Sequence, residues 1–593
     1  MASIIVSPRQ RFAARVAAGI VGILVFKWIF FDSTTRAGEI AHPDILERIT
    51  LGTPLSGQTL DTRKYPFLQS RINRDETHDV FDNDIDAGMQ DFWTRFQKPF
   101  MTGSDTMHLD EQVVRGAIDE LLGFNGWAAA ACSSLTRPFG ISKREDDWSD
   151  LARPGALYYF ALVVHGADHF LVDQLAVIVQ LARRLGPTSV FVSIVDYAST
   201  DSTPFLCDLA EMIMTLLGIS FRIRQVPPMT QDPTASYYPL EEAYTRNLAL
   251  EPLQELWERR KVQFERVIWL KGFTCPNDIL ETIRVSVVNQ ASMVCSMDWK
   301  EHNGFFIYND RWRTRDMDGN LFRGSKSTSP IDEAPPRDAY GGARYTLHLP
   351  FQVFCCESGT HIVDPHKSYY LGLTYHSSVE SVFNTTAASD GKAPRWSEGP
   401  CMDSAQLHFC RDMWMASFQD GIRDEAKRLH NEERMGKPRN VHPFMDDLIQ
   451  SMLASYAPTT SDKAAAPVEA DEVKAAAAVG KGKRRRLDKR RPRSLPNNAF
   501  PNAIAKILVN PRCVTTYAGV SHTQLALDLF GSGEDREPTQ HEGGKYVLDE
   551  WRTAPESFVC QEMRTTGGRI APKQQRRTGF QQSRLLLNGW RPT

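Results

Sequence analysis

Asp196 and Asp201 follow a short apolar run at 190–196. Arg246 and Asn247 sit side by side in a helical stretch, Asp298 closes another apolar run, and Asp316 and Asp318 lie in the loop beyond it. If the apolar runs are strands of a parallel sheet, these polar residues gather where such sheets bind ligands, at the carboxyl ends of strands. Carboxylates and arginines in that place suit a nucleotide diphosphate held through a divalent cation. Oxygen ligands take Mg²⁺ or Mn²⁺, and the metal bridges the pyrophosphate while carrying leaving-group charge. On this reading Asp298, Asp316 and Asp318 are the candidate metal ligands, and Asp196, Asp201, Arg246 and Asn247 the candidate nucleotide contacts. Each also has a plainer reading. Asp201 caps the helix opening at Pro204, Arg246 pairs with Glu241 or Glu242 on its own helix, Asp316 pairs with Arg313 or Arg315, and Asp318 with Gly319 makes a tight turn.

Other chemistries lack their marks. There is no Walker-type phosphate loop and no GxGxxG after a strand, which argues against an ATPase and a dinucleotide enzyme. Nor is there a GxSxG elbow or an HExxH helix.

The elements that must position these residues follow from hydrophobic period. Apolar runs at 156–165, 190–196, 221–225, 267–270 and 291–297 read as buried strands. Helical spacing appears at 111–122, 170–184 and 240–260, and from Pro204 to about residue 217; Pro276 opens a further helix with Leu280, Ile283 and Val287 on one face. Strands separated by helices indicate an α/β class with a parallel sheet. Residues 345–356 read as a later strand, 401–414 as a helix start and helix, and 509–517 as the end of a strand-like element.

The chain has 593 residues, 42% of them hydrophobic, and a net charge of −3, so it can bury a large core and gives no global hint of a nucleic-acid partner. Its ten cysteines do not suggest a disulfide scaffold, and none of their spacings resembles a zinc finger. Cys355 with Cys356 and Cys401 with Cys410 could oxidise in a secretory lumen; buried free thiols are the alternative. Residues 16–31 are almost wholly apolar, and the arginines before them favour a cytoplasmic N-terminus. A single-pass anchor is the expectation, because no small-residue cleavage site closes the run. A polar stem at 32–110 would lead to a catalytic domain at 111–456. Residues 457–500 read as a low-complexity linker whose stretch 481–493 carries nine basic residues and one acid, a run that stays solvated. Order resumes at 501–530, and 531–593 reads as a loose tail. Asn384 begins a glycosylation sequon.

The blocks VFVSIVDYASTDST, RNLALEPL, RVIWLKGFTCPNDILE, MVCSMDW, DRWRTRDMDG, PFQVFCC and CMDSAQLHFCRDMW, in this order, resemble the fungal capsule-associated, cryptococcal mannosyltransferase family. The resemblance covers about residues 150–420 and resumes at 507–517. It implies a type II Golgi membrane protein with a GT-A-like, Rossmann-like nucleotide-sugar fold. It also implies GDP-mannose as donor, Mn²⁺ or Mg²⁺ as cofactor, a mannan-type polysaccharide acceptor and α-1,3-mannosyl transfer in capsule or cell-wall synthesis. One departure matters: family members often carry an Asn-Asp pair where Lys271 and Gly272 stand. Either Asp298 and the Asp316/Asp318 loop supply the metal, or Lys271 replaces it in pairing with phosphate, or catalysis is lost and the chain serves polysaccharide assembly or export. Asp403, late in the fold, is the candidate general base. Glu357, where relatives tend to have an aromatic, receives no role.

Overall fold

The apolar runs do become strands, in a chain order that alternates with helices. In this computed structural model the described residues are 59–73, 148–168, 170–229, 237–302, 305–310, 313–323, 335–357, 359–377, 401–434, 504–516, 546–563 and 573–580, with 132, 525 and 529. The expected anchor, the sequon at Asn384 and the linker at 457–500 lie outside them. Among the described residues no helix is long and apolar enough to cross a membrane.

The order is β1 (Gln69–Ile72), β2 (Tyr158–Val164), α1 (Leu171–Leu185), β3 (Val190–Tyr197), α2 (Thr203–Leu217), β4 (Ser220–Val226), α3 (Tyr238–Arg260) and β5 (Arg266–Trp269). Then come β6 (Phe273–Thr274), α4 (Pro276–Val288), β7 (Met293–His302), β8 (Phe305–Tyr308), α5 (Ala339–Thr346), β9 (Phe351–Gln352), β10 (His361–Val363), α6 (Ala405–Arg434), β11 (Ile507–Thr516), β12 (Ser557–Met563) and β13 (Lys573–Gly579). The main sheet runs β1-β4-β3-β2-β5-β10-β7-β11-β6, with β8 on β7 and β9 on β11. Its first half is parallel: β2 pairs with β3 on one side and β5 on the other. β10 then runs antiparallel to both β5 and β7, so the sheet is mixed rather than purely parallel.

Alternation along β2 and β3 sends side chains to two cores. Phe160, Leu162, Val192 and Ile194 pack with Ile178 of α1, Ile213 of α2 and Ile283 of α4. Tyr159, Ala161, Phe191 and Val195 pack on the other face with Leu250 and Leu253 of α3, a cluster that extends to Phe409 and Trp414 of α6. Both faces are therefore covered, which is why these strands read as continuous apolar runs.

Three expectations need correction. Residues 345–356 do not form one strand: α5 occupies their beginning and β9 is two residues long. The tail is not loose throughout, because β12 and β13 form an antiparallel hairpin. Its Phe558 and Cys560 are in the main core. Last, disulfides are prominent: Cys132–Cys275, Cys295–Cys356, Cys355–Cys410 and Cys401–Cys560. The adjacent thiols each bond elsewhere, and Cys401 reaches into the C-terminal hairpin, where local spacing could not point. Cys207 and Cys513 are buried thiols.

Candidate active-site cleft

β2 leads through α1 to β3 on one side, while β5 returns to the other side of β2, so the strand order reverses between β2 and β5. Such a switch point opens a crevice at the carboxyl ends of the two strands. A cleft of about 260 Å³ lies there, lined by Val164 and His165 at the end of β2, Tyr197 at the end of β3, Leu270, Lys271 and Gly272 after β5, and Tyr238, Glu241, Glu242, Thr245 and Arg246 on α3.

The loop carrying Lys271 is held from several directions. Thr360 Oγ1 accepts from the Lys271 amide at 3.3 Å and donates to the Lys271 carbonyl at 3.2 Å. Gln174 Nε2 donates to the Gly272 carbonyl at 3.1 Å. Gly272 has φ +53°, a left-handed turn that glycine takes without Cβ strain.

Five charged side chains interlock at the cleft floor. Glu357 Oε1 accepts from Arg246 and from Lys271, and its Oε2 accepts from Arg313. Glu242 Oε1 pairs with Arg313 at 2.7 Å and with Arg246 at 3.3 Å. Three cations thus face two carboxylates, a formal surplus of one positive charge (3 − 2 = +1). Burial opposes ionisation of Glu357, but the three cations outweigh it and hold its carboxyl well below the usual range. Burial lowers the Lys271 pKa, with Glu357 pulling it back up. Arg246 also donates to Gln406 Oε1 at 2.6 Å and lies 4.9 Å from the Tyr375 ring centroid. Of the three cations Lys271 is the most accessible, its side chain 32% exposed, whereas Arg246 is 5% and Arg313 17% exposed.

The residues named from sequence divide sharply. Lys271 and Arg246 line the cleft. Asn247 does not reach it, since its amide grips the Tyr375 backbone at both ends, at 2.7 and 3.0 Å. Asp201 accepts from the Asp168 and Thr203 amides at 3.2 and 3.1 Å and so ties two strand-end loops together. Burial works against its charge, but these bonds prevail and lower its pKa. Asp196 is fully buried at the end of β3, outside the described cleft lining, and burial raises its pKa.

The expected metal ligands do not form a site. Asp298 Oδ2 accepts from Asn309 at 3.1 Å. Asp316 is fully buried and accepts three backbone amides, from Asp318, Asn320 and Arg337. Burial still pushes its pKa up to about 6. Asp318 pairs with Arg552 at 2.9 Å. Beside it Gly319 (φ +73°) passes against the backbone of Ser557 and Phe558, where a Cβ would collide. Among the described residues the one grouping of three with ligand geometry is Cys401, Asp403 and Cys560, and its two sulfurs are already joined in a disulfide. In the cleft, Glu242 already carries two cations and Glu241 accepts from the Tyr197 hydroxyl at 2.9 Å. The described residues therefore do not fit the divalent cation expected from sequence.

Asp403 as general base is likewise corrected. It is 1% exposed; its Oδ2 accepts from Arg315 at 2.9 Å and the Gln561 amide at 2.6 Å, and its Oδ1 from the Ser404 amide at 2.7 Å. It is a buried charge anchor for the C-terminal hairpin and does not line the cleft. Glu357 is the residue that sequence reading left without a role, whereas the expected pairing of Arg246 with Glu242 on its own helix is present. A lone acid directly after the buried run Phe354–Cys356 is a signal, because so enclosed a carboxylate requires cations.

A two-sided α/β sheet with a charged cleft at its switch point is an architecture that binds ligands at the carboxyl ends of its strands. Residues 157–396 match the family model described as Cryptococcal mannosyltransferase 1, so that segment resembles this family. A search of curated proteins gives no significant match. Solved structures that resemble it are S. aureus TarS 1–349 (10% identity, 44% of this chain and 56% of that one, TM-score 0.25) and the mannosyltransferase PcManGT from Pyrobaculum calidifontis, solved with GDP-Man and Mn²⁺ (11% identity, 58% and 80%, TM-score 0.22). The chain spans about half the length of the TarS structure. Likeness of this degree constrains nothing further.

Proposed function

We propose that this chain is a GT-A-like enzyme that transfers mannose from GDP-mannose to a hydroxyl of a mannan-type polysaccharide, in α-1,3 linkage, during capsule or cell-wall synthesis. The observation that carries the reading is the cleft between β2 and β5, with Lys271 partly open among its charged side chains, inside the segment that matches the family. A sugar diphosphate brings negative charge to just such a place, and Arg and Lys donors bind phosphate oxygens with charge-assisted hydrogen bonds. Glu241 is the described cleft carboxylate that stands outside the cation cluster. Its acceptor oxygens suit the neighbouring N–H donors on the guanine edge, with Tyr197 holding its orientation.

A Golgi lumenal location behind a single-pass anchor belongs to the same reading. Four disulfides among the described residues support it, because such bonds persist in oxidising compartments. The test is purified full chain with radiolabelled GDP-mannose and a mannan acceptor. Labelled polysaccharide is expected, with Glu241→Gln narrowing the preference for GDP over UDP about tenfold. Binding of GDP-mannose without transfer to any mannan would replace this reading with that of a non-catalytic assembly factor.

A further inference from the structure

We propose that Lys271 does in this chain what a divalent cation does in metal-dependent transfer: its ammonium grips the donor diphosphate, so donor binding needs no metal. The inference rests on the donor reading of the cleft given above.

Four observations converge. The Lys271 side chain lines the cleft, at the carboxyl end of β5. Its backbone is fixed at both N–H and C=O by the Thr360 hydroxyl, and its ammonium is held at the cleft by Glu357. Glu357 cannot neutralise it fully, because the same carboxylate serves Arg246 and Arg313 as well. Finally, the metal ligands expected from sequence are engaged elsewhere, with Asp298 accepting from Asn309. Asp316 is taken by backbone amides, Asp318 by Arg552, and Glu242 by two arginines. A dication beside Lys271 would meet a cluster already in positive surplus, whereas a diphosphate completes it.

The chemistry closes without another reactant. The bond between the anomeric carbon and the diphosphate oxygen breaks, and its electron pair stays on that oxygen. The acceptor hydroxyl oxygen forms the new bond to the anomeric carbon, and its proton ends on the released diphosphate or on water. Lys271, backed by Arg246 and Arg313, donates hydrogen bonds to the oxygen where charge accumulates, the electrostatic contribution that a pre-positioned cation makes best. Glu357 is a positioning residue that gathers the three cations at one point.

The experiment is calorimetric titration of GDP into the purified full chain, once with EDTA and once with Mn²⁺. The expected result is binding in EDTA, with an affinity that Mn²⁺ changes by less than about threefold. Lys271→Met should weaken GDP by at least about tenfold, as loss of a charge-assisted phosphate contact does. Lys271→Arg should recover most of it, and a thermal melt checks that each variant is folded. Binding that requires Mn²⁺, or full-strength binding by folded Lys271→Met, overturns the inference and leaves the donor site standing. Absence of GDP binding in both conditions overturns the donor reading itself.

Discussion

The cleft floor and the knot under the C-terminal hairpin are built from the same parts and differ in closure. Under the hairpin, Arg315 meets Asp403 one to one, both sealed from solvent, and backbone amides take the remaining carboxylate positions. At the cleft, three cations share two carboxylates and one of them, Lys271, stands partly open. A saturated neutral pair can only hold structure. An unsaturated, partly open cluster has capacity for a ligand. Sequence shows the charge types in both places and cannot show which set is closed.

The contrast can be broken by experiment. Glu357→Gln should have the largest effect, because it leaves three buried or half-buried cations around a neutral amide. A loss of about 3–5 kcal/mol in urea denaturation is expected, together with loss of GDP binding. Asp403→Asn should destabilise by about 3 kcal/mol through the stranded Arg315, while the folded fraction keeps its kcat. A stable Asp403→Asn with kcat reduced a hundredfold or more would restore Asp403 as general base and erase the distinction between the two regions.

A smaller effect should appear with pH. His361 lies in β10, its pKa lowered to about 3 by burial and then by Arg246 and Lys271. The unfolded ring takes a proton below about pH 6.5, whereas the folded one does not until about pH 3. Its contribution is therefore full above pH 6.5 and is lost progressively as pH falls toward 3. His361→Gln should flatten the stability–pH curve in that window; parallel curves for variant and parent would show that the cluster's field does not reach β10. Asp318→Asn should do least. Its bond to Arg552 joins two half-exposed side chains, 49% and 41% exposed, worth below about 1 kcal/mol. Transfer activity should be unchanged in the same preparation; a collapse of activity on this change would return Asp318 to the site.

The first half of the sheet was legible because its signals are local. The runs at 190–196 and 267–270 and the proline at 276 mark β3, β5 and the start of α4 to within a residue or two. The location of the cleft followed from the same pattern, and so did Lys271, as the point where the family pattern is broken. What escaped depends on distant partners. β10 gains its place from neighbours 66 to 96 residues earlier in the chain, including Cys295 and Trp269. Its residues 361–363 carry no strand signature of their own. Cys401 pairs across 159 residues, so nearby Cys410 was a false lead. The acids misread as metal ligands, Asp316 and Asp318, sit in a turn whose role is fixed by Arg552, Arg577 and the Ser557 backbone, all more than 230 residues away.

The most direct measurement is a crystal structure of the full chain with GDP bound in EDTA. The account predicts phosphate oxygens within hydrogen-bond distance of Lys271 Nζ, between His165 and Gly272, and the guanine edge on Glu241. Density for the nucleotide at Asp298 or the Asp316 turn, with Lys271 left facing Glu357 alone, would contradict it.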